Sequence, residues 1–90
     1  MLKLKTTNRF DKELIQAVKS GKDITKIKEA IKKLVNRDPL ERKYKDHKLK
    51  GKFKNRRECH IEPDWLLIYK IEEDTIFFER TGSHSELFKK

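Results

Sequence analysis

Apolar and polar residues alternate in LKLKT, positions 2–6, the period of a short strand. The period then lengthens. Phe10, Leu14, Ile15 and Val18 fall on one helical face, with Thr7 or Asn8 placed to cap that helix and Gly21 to close it. Asp23 can cap a second helix, in which Ile24, Ile27, Ala30, Ile31, Leu34 and Val35 recur at helical spacing. It stops before Asp38-Pro39, because the residue preceding proline disfavours helix. Residues 39–54 show neither period and read as a long loop, a kind of segment that often carries function. Three strand-like segments follow: RRECHI (56–61), WLLIYKI (65–71) and TIFFER (75–80). Their connections, EPD and EED, are short enough for hairpins, so the sheet is expected to be antiparallel. Ser83 and Glu86 stand at capping-box spacing before one short terminal helix. The order predicts a single α+β domain over residues 1–90. In it two N-terminal helices pack on a small antiparallel sheet and a short helix follows.

Composition narrows the class. Apolar residues make up 34% of the 90 and charged residues 43%, so the core is modest and its strong patterning argues for a fold rather than disorder. A lone cysteine, Cys59, excludes an internal disulfide and a cysteine-based zinc finger. MLKLKTTNRF lacks the apolar stretch of a secretion signal and no run is long enough to span a membrane, so a cytoplasmic location is expected.

Charge is more informative. The net value is +9, but residues 1–60 hold 20 Lys and Arg against 8 Asp and Glu, while residues 61–90 hold 4 against 7. The densest block, RKYKDHKLKGKFKNRR at 42–57, has nine basic residues and one acid. Such a block implies a polyanionic partner. Tyr44, His47 and Phe53 interleave the cations, and rings set among phosphate-binding charges suit single-stranded nucleic acid.

All three histidines, His47, His60 and His84, lie in or after that block. On an alternating strand 56–61, Arg56, Glu58 and His60 share an open face while Cys59 and Ile61 face the core. The EPDW corner brings Asp64 and Trp65 back beside His60. The last strand carries Arg80 and delivers His84 to the same region if its pairing is regular. Three imidazoles, two carboxylates and an arginine suit RNA cleavage by the neighbouring 2′-hydroxyl, which needs a base, a cation near the phosphorane and an acid for the leaving oxygen. Duller roles fit each residue as well. Trp65 and Phe88 equally suit the edge of a small core, and Glu58 with Arg80 could form a cross-strand ion pair. No HExxH or other regular metal-ligand spacing occurs. Spacing alone leaves both a ribonuclease and a non-catalytic RNA- or ribosome-binding module open.

YKDHKLKG, then RECHIEPDWLLIYKI, then FERTGSHSELF, over residues 44–88, together resemble the YafQ-type toxins of the RelE superfamily. These are ribosome-dependent endoribonucleases, or mRNA interferases, of toxin–antitoxin modules. The resemblance implies catalytic roles for His47, His60, Asp64 and His84. It implies mRNA-holding roles for Trp65 and Phe88, a place near the scissile phosphate for Arg80, and a catalytic role for Glu58, which stands where the family has an acidic residue. It also implies that the basic loop, with Lys50, Lys52, Lys54 and Arg56, contacts ribosomal RNA and message in the A site. No metal or other cofactor is implied, and the partner is a small antitoxin, often with a ribbon–helix–helix half. Lys48 departs from the family, which often has proline after the first histidine.

Overall fold

The computed structural model describes residues 1–88. Strand β1 (Lys3–Thr6) leads into helix α1 (Asn8–Lys19). Thr7 is the cap: its backbone is extended and its Oγ1 accepts the Phe10 N–H at 3.0 Å. The same hydroxyl donates to the Glu79 carbonyl at 2.9 Å, so the cap also ties the helix to the sheet. Gly21, at φ +98°, ends the helix: its N–H reaches the Val18 carbonyl and that of Lys22 reaches Ala17, both at 3.0 Å.

The expected apolar stripe of α1 needs correction. Phe10 is buried and Leu14 and Ala17 pack on the core, but Ile15 and Val18 are 56% and 41% exposed. The helix is rolled toward Glu13, whose carboxylate reaches the sheet and so sets which side faces inward. Helix α2 (Ile24–Val35) is capped by Asp23, which accepts the Thr25 N–H at 3.0 Å, and buries Ile27, Ala30 and Leu34.

Residues 39–54 are less loop-like than their composition suggests. They hold short 3-10 turns at Arg42–Tyr44 and Gly51–Phe53 and a two-residue strand, β2 (His47–Lys48). Strands β3 (Arg57–Glu62), β4 (Trp65–Glu72) and β5 (Thr75–Gly82) follow, then helix α3 (His84–Phe88). Sheet order is β1-β5-β4-β3-β2. Strands β3, β4 and β5 pair antiparallel as expected and β2, not foreseen, pairs antiparallel with β3, but β1 joins β5 in parallel, Lys3 opposite Thr75 through Thr6 opposite Phe78. The sheet is therefore mixed. The N-terminal strand pairs with the last strand in the chain, a partner that no local hairpin signal announces.

Strand β4 is central and its WLLIY run is buried on both faces, as a continuous apolar run requires. Trp65, Leu67 and Tyr69 join Phe10, Ile27, Leu34, Ile76 and Phe78 beneath α1 and α2. Leu66 and Ile68 join Leu87 on the opposite face, with Leu49, Phe53 and Phe88 around them. The face expected to be open is therefore partly roofed by α3 and the 49–53 segment. No helix among the described residues is long and apolar enough to cross a membrane.

Candidate active site

Register determines which side chains meet. His47 lies opposite Glu58, Glu58 opposite Ile68, and Ile68 opposite Arg80; in the next row His60 lies opposite Leu66, and Leu66 opposite Gly82. Directly opposed residues share a face, so His47, Glu58, His60 and Arg80 all belong to the face roofed by α3. Two β-bulges shape this arrangement, one at Ile61 of β3, between His60 and Glu62, the other at Glu79 of β5, opposite the step from Ile68 to Tyr69. Each inserts an unpaired residue and so turns the side chains beyond it to the other face.

The imidazoles stand in a line. Ring centroids are 6.2 Å apart from His47 to His60 and 5.7 Å from His60 to His84. His47 Nδ1 lies 2.7 Å from the Lys45 carbonyl, which can only accept, so this nitrogen carries hydrogen. Its Nε2 is 3.3 Å from Oε2 of Glu58, a carboxylate only 5% exposed. His47 and Glu58 thus stand as an imidazole–carboxylate pair.

At the far end, Asp64 occupies the two-residue Pro63-Asp64 turn between β3 and β4. Its Oδ1 accepts the His84 backbone N–H at 2.9 Å and lies 2.6 Å from His84 Nδ1. These bonds hold the Asp64 carboxyl below its ordinary range, the backbone N–H first and the imidazole second. An ionised Asp64 fixes hydrogen on Nδ1 and leaves Nε2 to exchange a proton with a substrate. The capping box is reciprocal: Ser83 N–H donates to Glu86 Oε1 at 2.8 Å, and Glu86 N–H to Ser83 Oγ at 3.2 Å. Gly82 allows α3 to sit this low, since a Cβ there would stand 3.1 Å from Glu86 Oε1. Between the two pairs, His60 Nδ1 is buried with no hydrogen-bond partner among the described residues.

Clefts flank the line. One of about 710 Å³ is lined by His60, His84, Lys26, Lys43 and Lys45. Another, of about 490 Å³, lies among Arg9, Lys52, Phe53, Arg56, Arg80 and Phe88. Phe88 is half-buried and meets Phe53 edge-on at 5.4 Å. Lys50, Lys52 and Lys54 are exposed.

Four expectations change. Trp65 is 1% exposed, its Nε1 donating to Thr81 Oγ1 at 2.9 Å, so its ring is core and has no surface on which a base can stack. Alternation along β4 is the reason: Leu66 lies opposite His60, so Trp65 falls with Leu67 and Tyr69 on the helix side. Tyr44, 4% exposed, is also core rather than a stacking ring. Arg56 is ion-paired with Glu79 and so is not a free cation. Arg80 reaches the expected face, but Glu13 takes its Nε at 3.0 Å and its Nη2 at 2.7 Å, where a cross-strand pair with Glu58 was the alternative.

Other residues were not anticipated. Asp46, the one acid of the basic block, accepts from Tyr69 and Arg57, and Lys45 supplies the carbonyl on His47. Its isolation among nine cations was the available signal. Glu13 left no comparable trace, since a surface glutamate on a helix is ordinary. Among the described residues, no group of three or more His, Cys, Asp or Glu is arranged to hold a metal ion.

Comparison with known proteins accords with this geometry. Residues 2–89 match the family described as the bacterial toxin of type II toxin–antitoxin systems, YafQ. The mRNA interferase toxin YafQ of Escherichia coli K12 is 43% identical over 83 residues, 91% of this chain and 90% of that protein. A copper-bound mutant toxin from Helicobacter pylori superposes with a TM-score of 0.94 at 43% identity, covering 98% of this chain and 100% of the other. The toxin in the E. coli DinJ–YafQ complex superposes with a TM-score of 0.91 at 40% identity over 98% and 99% of the two chains. The chain belongs to the YafQ family of bacterial toxins from type II toxin–antitoxin systems.

Proposed function

We propose that this protein is an endoribonuclease that cuts messenger RNA on the translating ribosome, with the RNA's own 2′-hydroxyl as nucleophile. The observation that carries the reading is the line of three imidazoles whose outer members are paired with carboxylates, His47 with Glu58 and His84 with Asp64. One imidazole takes the 2′-hydroxyl proton as that oxygen bonds to phosphorus. The bond to the 5′-oxygen then breaks as a second, protonated imidazole gives up its hydrogen. One fragment ends in a 2′,3′-cyclic phosphate and the other begins with a 5′-hydroxyl. Imidazole suits both steps because it gives and takes a proton near neutral pH, and positioned acid–base groups accelerate such steps by about 10²–10⁴-fold. His60 lies between the pairs, within reach of the same phosphodiester. Titration across three neighbouring imidazoles is coupled, so the acid and base belong to the set.

Arg80 meets the phosphate by exchanging Glu13 oxygens for phosphate oxygens, one bidentate partner for another. Phe53 and Phe88 offer partly exposed rings to a base, while Lys50, Lys52 and Lys54 hold the flanking backbone and ribosomal RNA. The relative captured with DinJ supports a cognate antitoxin as the protein partner, and a ribosomal target places the activity in the cytoplasm.

Mapping new 5′ ends on a translated mRNA tests this reading. Wild-type protein should create ends inside the reading frame only when ribosomes translate, and His84→Ala should create none while binding RNA as before. Tight RNA binding with no new ends under any condition would instead make the protein a binding module.

A further inference from the structure

We infer that Asp46 is a positioning residue for the His47–Glu58 pair, acting through an anchor to Arg57 and Tyr69 on the helix-covered side of the sheet; this rests on His47 belonging to the ribonuclease site. Asp46 Oδ1 accepts the Tyr69 hydroxyl at 2.6 Å and Arg57 Nε at 3.3 Å, while Oδ2 accepts Arg57 Nη2 at 3.0 Å. Three of the roughly four acceptor positions of a carboxylate are thus filled. Arg57 and Tyr69 lie opposite each other, one residue along from the Glu58–Ile68 pair, and so belong to the other face.

The anchor does what β2 cannot do alone. That strand has two residues and two register pairs, His47 with Glu58 and Lys48 with Arg57. A slip of one residue would carry His47 to the wrong face, and a strand this short resists slipping weakly. Asp46 precedes His47 directly. Gripping Tyr69 and Arg57 with one side chain leaves the next on the catalytic face. The turn before it is shaped to match: Lys45 adopts a left-handed backbone, φ 46° and ψ 44°, and its carbonyl receives His47 Nδ1–H. Burial and the neighbouring carboxylate push the Tyr69 hydroxyl far above its ordinary range, so it remains a donor at every working pH.

The test uses the whole protein with Asp46→Asn, Tyr69→Phe and His47→Ala, singly and with Asp46→Asn and His47→Ala combined. Proton–nitrogen NMR of the imidazoles reads which nitrogen of His47 carries hydrogen, and kinetics read kcat and KM separately. Asp46→Asn should disturb the His47 ring signals and leave those of His84 in place. It should lower kcat by at least about tenfold with little change in KM, because displacements of about 1 Å can cost about 100-fold. In the His47→Ala background it should cost nothing further, whereas a general loss of stability would cost the same in both. Tyr69→Phe should give a smaller effect of the same kind, and it carries the test if Asp46→Asn does not fold. Unmoved His47 signals in a folded variant, or equal losses in both backgrounds, would overturn the inference. If the wild type cuts no RNA the ribonuclease reading fails instead, and the His47 signals still decide whether Asp46 positions that ring.

Discussion

Asp64 shows how one side chain can serve both fold and chemistry. Its Oδ1 caps the first turn of α3 through the His84 N–H and orients the His84 ring. Because the folded form depresses this carboxyl, its contribution is complete above the ordinary carboxylate pKa of about 3.9 and is lost as pH falls through the lower folded value. The Asp64 side-chain carboxyl carbon signal should therefore titrate below the ordinary carboxylate value in an NMR titration. Asp64→Asn should lower kcat by about tenfold or more while RNA affinity holds, because the ring loses its fixed tautomer. Trp65 behaves differently. Trp65→Ala should cost about 3–5 kcal/mol of stability through its lost core volume, read as a fall in unfolding midpoint, and any loss of activity should follow unfolding. The sequence placed Glu58, His60 and Asp64 together because strand alternation and short hairpins are local rules, whereas His47 lay in a segment read as loop and His84 depended on the register of the last strand. For Trp65 the core alternative prevails, because alternation along β4 sets it with Leu67 and Tyr69 on the helix side, away from His60.

At the scale of elements, the site depends on how closely α3 lies on β5. Gly82→Ala would place a Cβ 3.1 Å from Glu86 Oε1, so that carboxylate must give by a few tenths of an ångström and loosen its bond to the Ser83 N–H beside His84. The expected result is a folded protein with reduced kcat, checked by circular dichroism beside a cleavage assay. The helices, their caps and the three long strands were legible, since each is written in local period and capping chemistry. Two features were not. The parallel pairing of β1 with β5 joins residues about 70 positions apart, and β2 is too short to show any period. The inward roll of α1 was also hidden, since Glu13 acts through Arg80 and the Thr81 N–H on another element.

Over the whole molecule, the basic excess is partly spent internally. Arg56, Arg57 and Arg80 are each held by a carboxylate, whereas Lys50, Lys52 and Lys54 lie exposed, Lys52 lining the cleft that contains Phe53 and Phe88. Charge counting located the basic segment, but it could not tell engaged from available cations, because the ion pairs join distant segments. Lys52→Ala with Lys54→Ala should weaken RNA binding and flatten its salt dependence by about 0.7 in the logarithmic slope for each lost phosphate contact, leaving the cut position unchanged. Filter binding over a salt series would measure this.

The most direct test of the acid–base mechanism replaces a single 2′-hydroxyl. A message carrying one 2′-deoxynucleotide at the mapped cut should resist cleavage there, while the all-ribose message yields fragments ending in 2′,3′-cyclic phosphate and beginning with 5′-hydroxyl, identified by mass spectrometry. Cleavage of the deoxy-substituted site, or ends bearing 3′-hydroxyl and 5′-phosphate, would contradict it.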